Sequence, residues 1–243
     1  MKIIKLIKKN QTVEIIFENK KSLIISLDVF FQFPVGKDMV LDEEKLSKIK
    51  ELQKKHDFRK KIVEYATTKK RSSFEIEKFL SQFDFSAKEK NEFSKLLIKY
   101  DLVNDRELAK LIVENQLKKA NGINLIKDRL KKRYLNMYNA KDFIDQKVYS
   151  DNLFELKKSL LEKYEKYPFI RKKQKVYTSL ISKGYLHDEC FIDDLFYDEE
   201  KEIRIALETY EKIKKNNPIK KTQEKLVKSG FSYDIVKKVT KGE

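Results

Sequence analysis

The chain has 243 residues and a formal net charge of +16, with 40% hydrophobic and 39% charged residues. Five Gly and three Pro argue for long helices and against glycine-rich phosphate loops or a dinucleotide-binding turn, which need clustered glycines. A single Cys excludes an internal disulfide and fits a reducing, cytoplasmic setting, and no run of about 18 apolar residues marks a transmembrane span.

Residues 1–27 read as a three-stranded meander. Ile3–Ile7, Thr12–Phe17 and Ser22–Ile25 are β-branched runs, separated by turns at Lys9–Gln11 and Glu18–Lys21. The segment Met1–Ile15 carries Lys2, Lys5, Lys8 and Lys9 among its apolar residues, which is no signal-peptide core. A short helix at Asp28–Phe33 and a turn at Pro34–Lys37 lead to a polar helix over 41–56, with Leu41, Leu46, Ile49 and Leu52 as its stripe.

From Phe58 onward the pattern is helical and repeats. A Leu is followed five residues later by an aromatic or Leu at Leu80 with Phe85, Leu130 with Leu135, Leu180 with Tyr185, and Leu226 with Phe231. Gly184 and Gly230 precede the aromatic in the last two, where a helix stop takes a left-handed residue. Ser86, Asn136 and Ser232 follow as caps, and Ser72 with Glu75 and Ser86 with Glu89 make capping boxes. In the stretch from Leu97 to Leu130, Asn104 with Glu107 has the same form, and Asn121-Gly122 interrupts the apolar pattern.

An amphipathic helix precedes each such Leu, built on Phe58, Ile62 and Ala66, on Leu108 to Leu117, on Leu153 to Tyr164, and on Ile203 to Ile213. A third helix follows, marked by Phe93, by Phe143 with Ile144, by Phe191 with Ile192 and Leu195, and by Ile235 with Val239. The expectation is a mainly α, elongated tandem array of about four three-helix repeats with a small N-terminal β element. Its parts are the extension and linker helix at 1–57, then repeats at 58–103, 104–150, 151–198 and, shorter, 199–243.

Reactive chemistry is sparse. His56 and His187 are the only histidines. His187, Asp188, Glu189 and Cys190 with Asp193 and Asp194 match no zinc-ligand spacing and read as a helix start beside a buried thiol. No enzyme, metal or cofactor is expected. The basic clusters carry the functional signal: Lys69, Lys70 and Arg71; Lys131, Lys132 and Arg133; Arg171, Lys172 and Lys173; with Lys214-Lys215 and Lys220-Lys221 beside them. Several fall near the middle helices, where stacking would align them along a phosphate backbone or filament. The same lysines equally suit solvated helix faces.

Four stretches together carry a resemblance to the RecX family, which regulates the RecA recombinase. They are Lys70-Arg71-Ser72-Ser73-Phe74-Glu75 through Leu80, Tyr100-Asp101-Leu102-Val103-Asn104-Asp105 through Ala109, Gly122 through Leu130, and Leu180 through Tyr185. The strand-rich N-terminus with Val35-Gly36-Lys37 resembles the extension of longer members. Ile123 stands where Pro is usual, Asp101 is an extra residue, and Leu108 replaces an aromatic. The resemblance implies a monomeric, non-catalytic regulator that binds RecA on DNA without reading sequence, with the basic clusters facing the filament. Two other readings stay open: a helix-turn-helix-like DNA binder independent of RecA, and a scaffold for another acidic partner.

Overall fold

The computed structural model describes residues 1–192 and 196–241; the expected helix marker Leu195, with Asp193 and Asp194, lies outside them. The chain divides into two units, 1–104 and 105–243.

The first unit opens with strands β1 (Ile3–Lys9), β2 (Thr12–Phe17) and β3 (Ser22–Ser26), antiparallel in the order β1-β2-β3. Val13, Ile15 and Phe17 alternate onto one face and are buried with Ile3 and Ile25, as a half-buried strand requires. Ser26 caps α1 (Leu27–Gln32) through Val29 N at 3.2 Å.

Helix α2 (Glu43–Thr68) is the spine of this unit. Its first half buries Leu46 and Ile49 against the sheet; its second half buries Phe58, Ile62 and Ala66 against α3 (Ser73–Leu80) and α4 (Ala87–Lys99). The polar helix expected at 41–56 and the first helix of the repeat are therefore continuous through 57/58. No Gly or Pro between Lys54 and Phe58 stops the helix, and Asp57, a cap type, instead accepts from Gln53 Nε2 at 2.8 Å within it. The Ser72–Glu75 and Ser86–Glu89 capping boxes both form, the carboxylates accepting from Ser72 N at 2.8 Å and Ser86 N at 2.9 Å.

In the second unit the helix order recurs: α5 (Asp105–Leu117) and α6 (Ile123–Lys132), α7 (Gln146–Lys163) and α8 (Phe169–Ser182), then α9 (Glu199–Lys214), α10 (Ile219–Ser229) and α11 (Tyr233–Lys241). The third helix is complete only in the first and last triplets. After α6 it shrinks to a 3-10 turn at Ala140–Phe143, and after α8 to one at Asp188–Cys190. The first is shortened because Asn139 caps it while Asp145 already caps α7, through Lys147 N and Val148 N, leaving room for one turn. Asn136, expected as a helix cap, is an exposed loop residue instead.

The recurring five-residue spacing has a backbone cause. At a left-handed stop the amide five residues on bonds back across the last turn, and the residue bearing it packs beside the helix. These bonds form from Leu135 N to Leu130 O, Tyr185 N to Leu180 O and Phe231 N to Leu226 O, at 3.0, 3.2 and 3.3 Å. The left-handed residues are Tyr134, Gly184 and Gly230. Asp101 and Ala120 make the same stop after α4 and α5, with Leu102 N on Leu97 O and Asn121 N on Gln116 O. The extra residue Asp101 is thus the left-handed stop itself. The pair Leu80 and Phe85 lacks this bond; Phe83 N reaches Leu80 O instead.

One junction orients α8. The N-terminus of α6 meets the stop of α8, with Gly122 N donating to Lys183 O at 2.8 Å and Asn124 N to Gly184 O at 2.9 Å. Orphan amides of one helix thereby satisfy orphan carbonyls of another. Carbonyls at and just after the end of α5 accept from side chains nearby: Leu117 O from Asn152 Nδ2, Lys119 O from Lys183 Nζ, and Ala120 O from the Tyr185 hydroxyl, at 2.8, 3.2 and 3.2 Å. Both triplets share one apolar core, in which Ile126, Val176, Leu180 and Tyr185 are buried.

Candidate functional site

The basic residues singled out in the sequence take different environments. In the first unit, Lys69 and Lys70 are exposed beyond the end of α2. Arg71 lays its guanidinium over the Tyr65 ring at 4.2 Å, and that ring stacks on Phe79 at 4.0 Å. In the second unit, Lys131 and Lys132 end α6 and are exposed, and Arg133 is half-buried at its cap. They and Arg171–Lys173 sit at the ends of α6 and α8 remote from the Gly122–Gly184 junction.

Arg171, Lys172 and Lys173 do not act as one patch, because neighbours on a helix point about 100° apart. Lys172 is half-buried; burial, and then the charge of Lys201, lower its pKa. Lys173 lies over the Phe169 ring at 5.0 Å. Arg171 faces a groove.

That groove has a volume of about 810 Å³ and lies between α8 and the last helix triplet. Its charged lining residues are Lys166, Arg171, Lys175 and Lys228, with no carboxylate. Tyr164, Tyr167 and Phe231 supply aromatic surface; Gln174, Thr178, Ser179, Thr209 and Ser229 supply polar groups. Lys175 Nζ sits 4.5 Å from the Tyr167 centroid and 5.5 Å from that of Tyr164. The Tyr164 and Ser179 hydroxyls are hydrogen-bonded at 3.2 Å. This bond, followed by nearby Lys163 and Lys175, lowers the Tyr164 pKa despite some burial.

Packing fixes the groove walls. Gly230 approaches Arg171 so closely that a Cβ there would lie 2.5 Å from the Arg171 Cγ. Glu202, in the first turn of α9, accepts from Phe169 N with both oxygens, at 3.2 and 3.0 Å, and so caps α8 from the next triplet. Burial raises the Glu202 pKa, and the Phe169 amide partly opposes that. The sequence patterns single out Arg171 but not Lys166, Lys175 or Lys228. The only local signal for them is the pair Tyr164 and Tyr167 amid lysines.

Among the described residues, no group of three His, Cys, Asp or Glu is placed to hold a metal. Glu189 instead accepts from the Tyr149 hydroxyl at 3.0 Å and Leu186 N at 2.7 Å. Cys190 is buried, and burial followed by the Glu189 charge raises its thiol pKa. No described helix is long and apolar enough to cross a membrane.

No protein-family model matches the chain. Among curated proteins, it is 23% identical to the regulatory protein RecX of Streptococcus agalactiae serotype V, over 98% of this chain and 97% of that one. It is 24% identical to the regulatory protein RecX of Streptococcus sanguinis, over 78% of this chain and 74% of that one. A solved crystal structure of a regulatory protein RecX superposes with a TM-score of 0.59 at 22% identity, covering 77% of this chain and 96% of that one. The resemblance read from the sequence holds from end to end: the chain is RecX-like, with the RecX fold of helix triplets behind a small N-terminal sheet.

Proposed function

We propose that the chain is a non-catalytic regulator of the RecA recombinase, binding RecA and its filament on DNA and restraining ATP turnover and strand exchange in DNA repair and the SOS response. The observation that carries this reading is the similarity to a regulatory protein RecX over 98% of the chain. The tandem triplets support it, since successive similar surfaces suit a partner that is itself a repeating polymer. A net charge of +16 favours the anionic surroundings of a DNA-loaded filament. In this reading Lys69, Lys70, Arg71, Lys131, Lys132, Arg133 and the Arg171–Lys173 turn contribute contacts to RecA or phosphate. The protein acts as a monomer, without cofactor and without sequence-specific base contacts. The test is the DNA-dependent ATPase of the cognate RecA. Substoichiometric protein lowers the rate; no effect at molar excess refutes the proposal.

A further inference from the structure

We infer that the groove between α8 and the last helix triplet is a single-stranded nucleic-acid subsite, in which Lys166, Arg171, Lys175 and Lys228 hold phosphodiesters and Tyr167 stacks a base. This deepens the reading above and rests on it only for its biological setting.

Among the described residues none of these four cations forms an ion pair, and no carboxylate lines the groove. Uncompensated positive charge in a concave wall concentrates an anion more strongly than the same charge on a convex face. Gln174, whose Oε1 accepts from Arg171 at 3.4 Å, adds a neutral amide donor at the rim, a residue type that accompanies Lys and Arg on phosphate oxygens.

The aromatic surface decides between anions. Tyr167 is 41% exposed, meets Tyr164 edge-on at 5.8 Å and 78°, and has Lys175 at its ring. A ring beside phosphate-binding cations is the pairing that single strands use, because their bases are free to stack. A duplex keeps its bases stacked internally and has none to offer such a ring. An acidic peptide would use the cations and leave the ring idle. The groove volume of about 810 Å³ lies in the range of small-ligand sites, so it takes a short stretch of strand.

The test is fluorescence anisotropy of a labelled mixed-sequence single-stranded oligonucleotide with the full chain, in the absence of RecA, as a function of salt. Lys166 and Lys228 are exposed, so the double substitution Lys166→Gln with Lys228→Gln leaves the core intact. It weakens binding at least tenfold and lowers the salt slope by about 1.4, at about 0.7 for each phosphate of a single strand that is no longer neutralised. The control Lys95→Gln with Lys99→Gln removes equal charge from exposed positions on α4 and changes affinity less than threefold. Tyr167→Ala weakens binding roughly tenfold while Tyr167→Phe does not. Equal weakening by the two lysine pairs overturns the assignment. So does oligonucleotide binding that ignores Lys166 and Lys228 while binding of a poly-glutamate peptide depends on them, which would make the occupant an acidic protein segment. Because RecA is absent, this result stands or falls separately from the ATPase test.

Discussion

Three glycine substitutions separate backbone strain from steric contact at the helix stops. Gly184 has φ +85°, and a Cβ there would lie 2.5 Å from Leu125 N and 2.6 Å from Leu125 Cβ. Gly184→Ala therefore incurs about 1–2 kcal/mol of left-handed strain. It also overfills a packed junction, at about 1–3 kcal/mol. Relief of that clash weakens the bonds Gly122 N to Lys183 O and Asn124 N to Gly184 O, worth about 1 kcal/mol each. Destabilisation of roughly 4 kcal/mol follows, a large share of a typical domain's stability of about 5–15 kcal/mol. Gly122 has no positive φ, but its added Cβ would lie 2.3 Å from Tyr185 N; Gly122→Ala costs about 3 kcal/mol from steric overlap alone. Gly230 has φ +107° and its added Cβ would lie 2.5 Å from Arg171 Cγ, near the base of that side chain, so Gly230→Ala adds displacement of Arg171 to about 1–2 kcal/mol of left-handed strain. Urea titrations followed by far-UV circular dichroism rank the three, and hydrogen exchange at the Asn124 amide reads the junction itself. If Gly122→Ala is neutral or stabilising, the two helices do not meet as described.

Other perturbations probe the groove walls and the stops. Glu202→Ala removes the acceptor for Phe169 N and costs about 1–2 kcal/mol in urea unfolding; no change would mean α8 is not capped from α9. Because burial raises the Glu202 pKa above its ordinary 4.5, the folded chain holds this proton more tightly than the unfolded chain. Its contribution is thus fullest below pH 4.5 and falls as pH rises through the raised value. Glu202→Gln abolishes that dependence, so its stability relative to wild type improves between pH 4 and pH 7; a parallel pH profile would contradict the assignment. Ala120 holds φ +49°, and Ala120→Gly raises stability by about 1 kcal/mol, whereas a decrease would place that residue elsewhere in backbone space. Cys190 is 1% exposed, so a thiol reagent labels it slowly in the native chain and rapidly in urea; rapid native labelling would show the core around it to be open.

The repeats are legible because each helix stop writes a local signature. In three of the four pairs, all but Leu80 with Phe85, the Leu and the residue five positions on are fixed by one backbone bond, and Gly184 and Gly230 mark its left-handed residue. Asp101, Ala120 and Tyr134 hold the same conformation without Gly, so nothing in their residue types signals it. The partnership of Gly122 with Gly184 is also hidden: each motif is visible alone, but their meeting is a property of packing. The continuity of α2 escapes a reading by stripes because its apolar face changes partner, from sheet to helices, while the helix does not break. The groove is illegible for a related reason. Lys166, Lys175 and Lys228 are single lysines on Lys-rich segments, and only the seating of the last triplet beside α8 brings them to one cavity.

The central claim is association with RecA, and its most direct measurement is co-sedimentation of the purified chain with cognate RecA, with and without single-stranded DNA. The account predicts that RecA filaments on DNA carry the chain into the pellet in a saturable ratio, beyond what DNA alone retains. Equal recovery with DNA alone, together with no recovery on RecA, would contradict it and leave a nucleic-acid binder that acts without the recombinase.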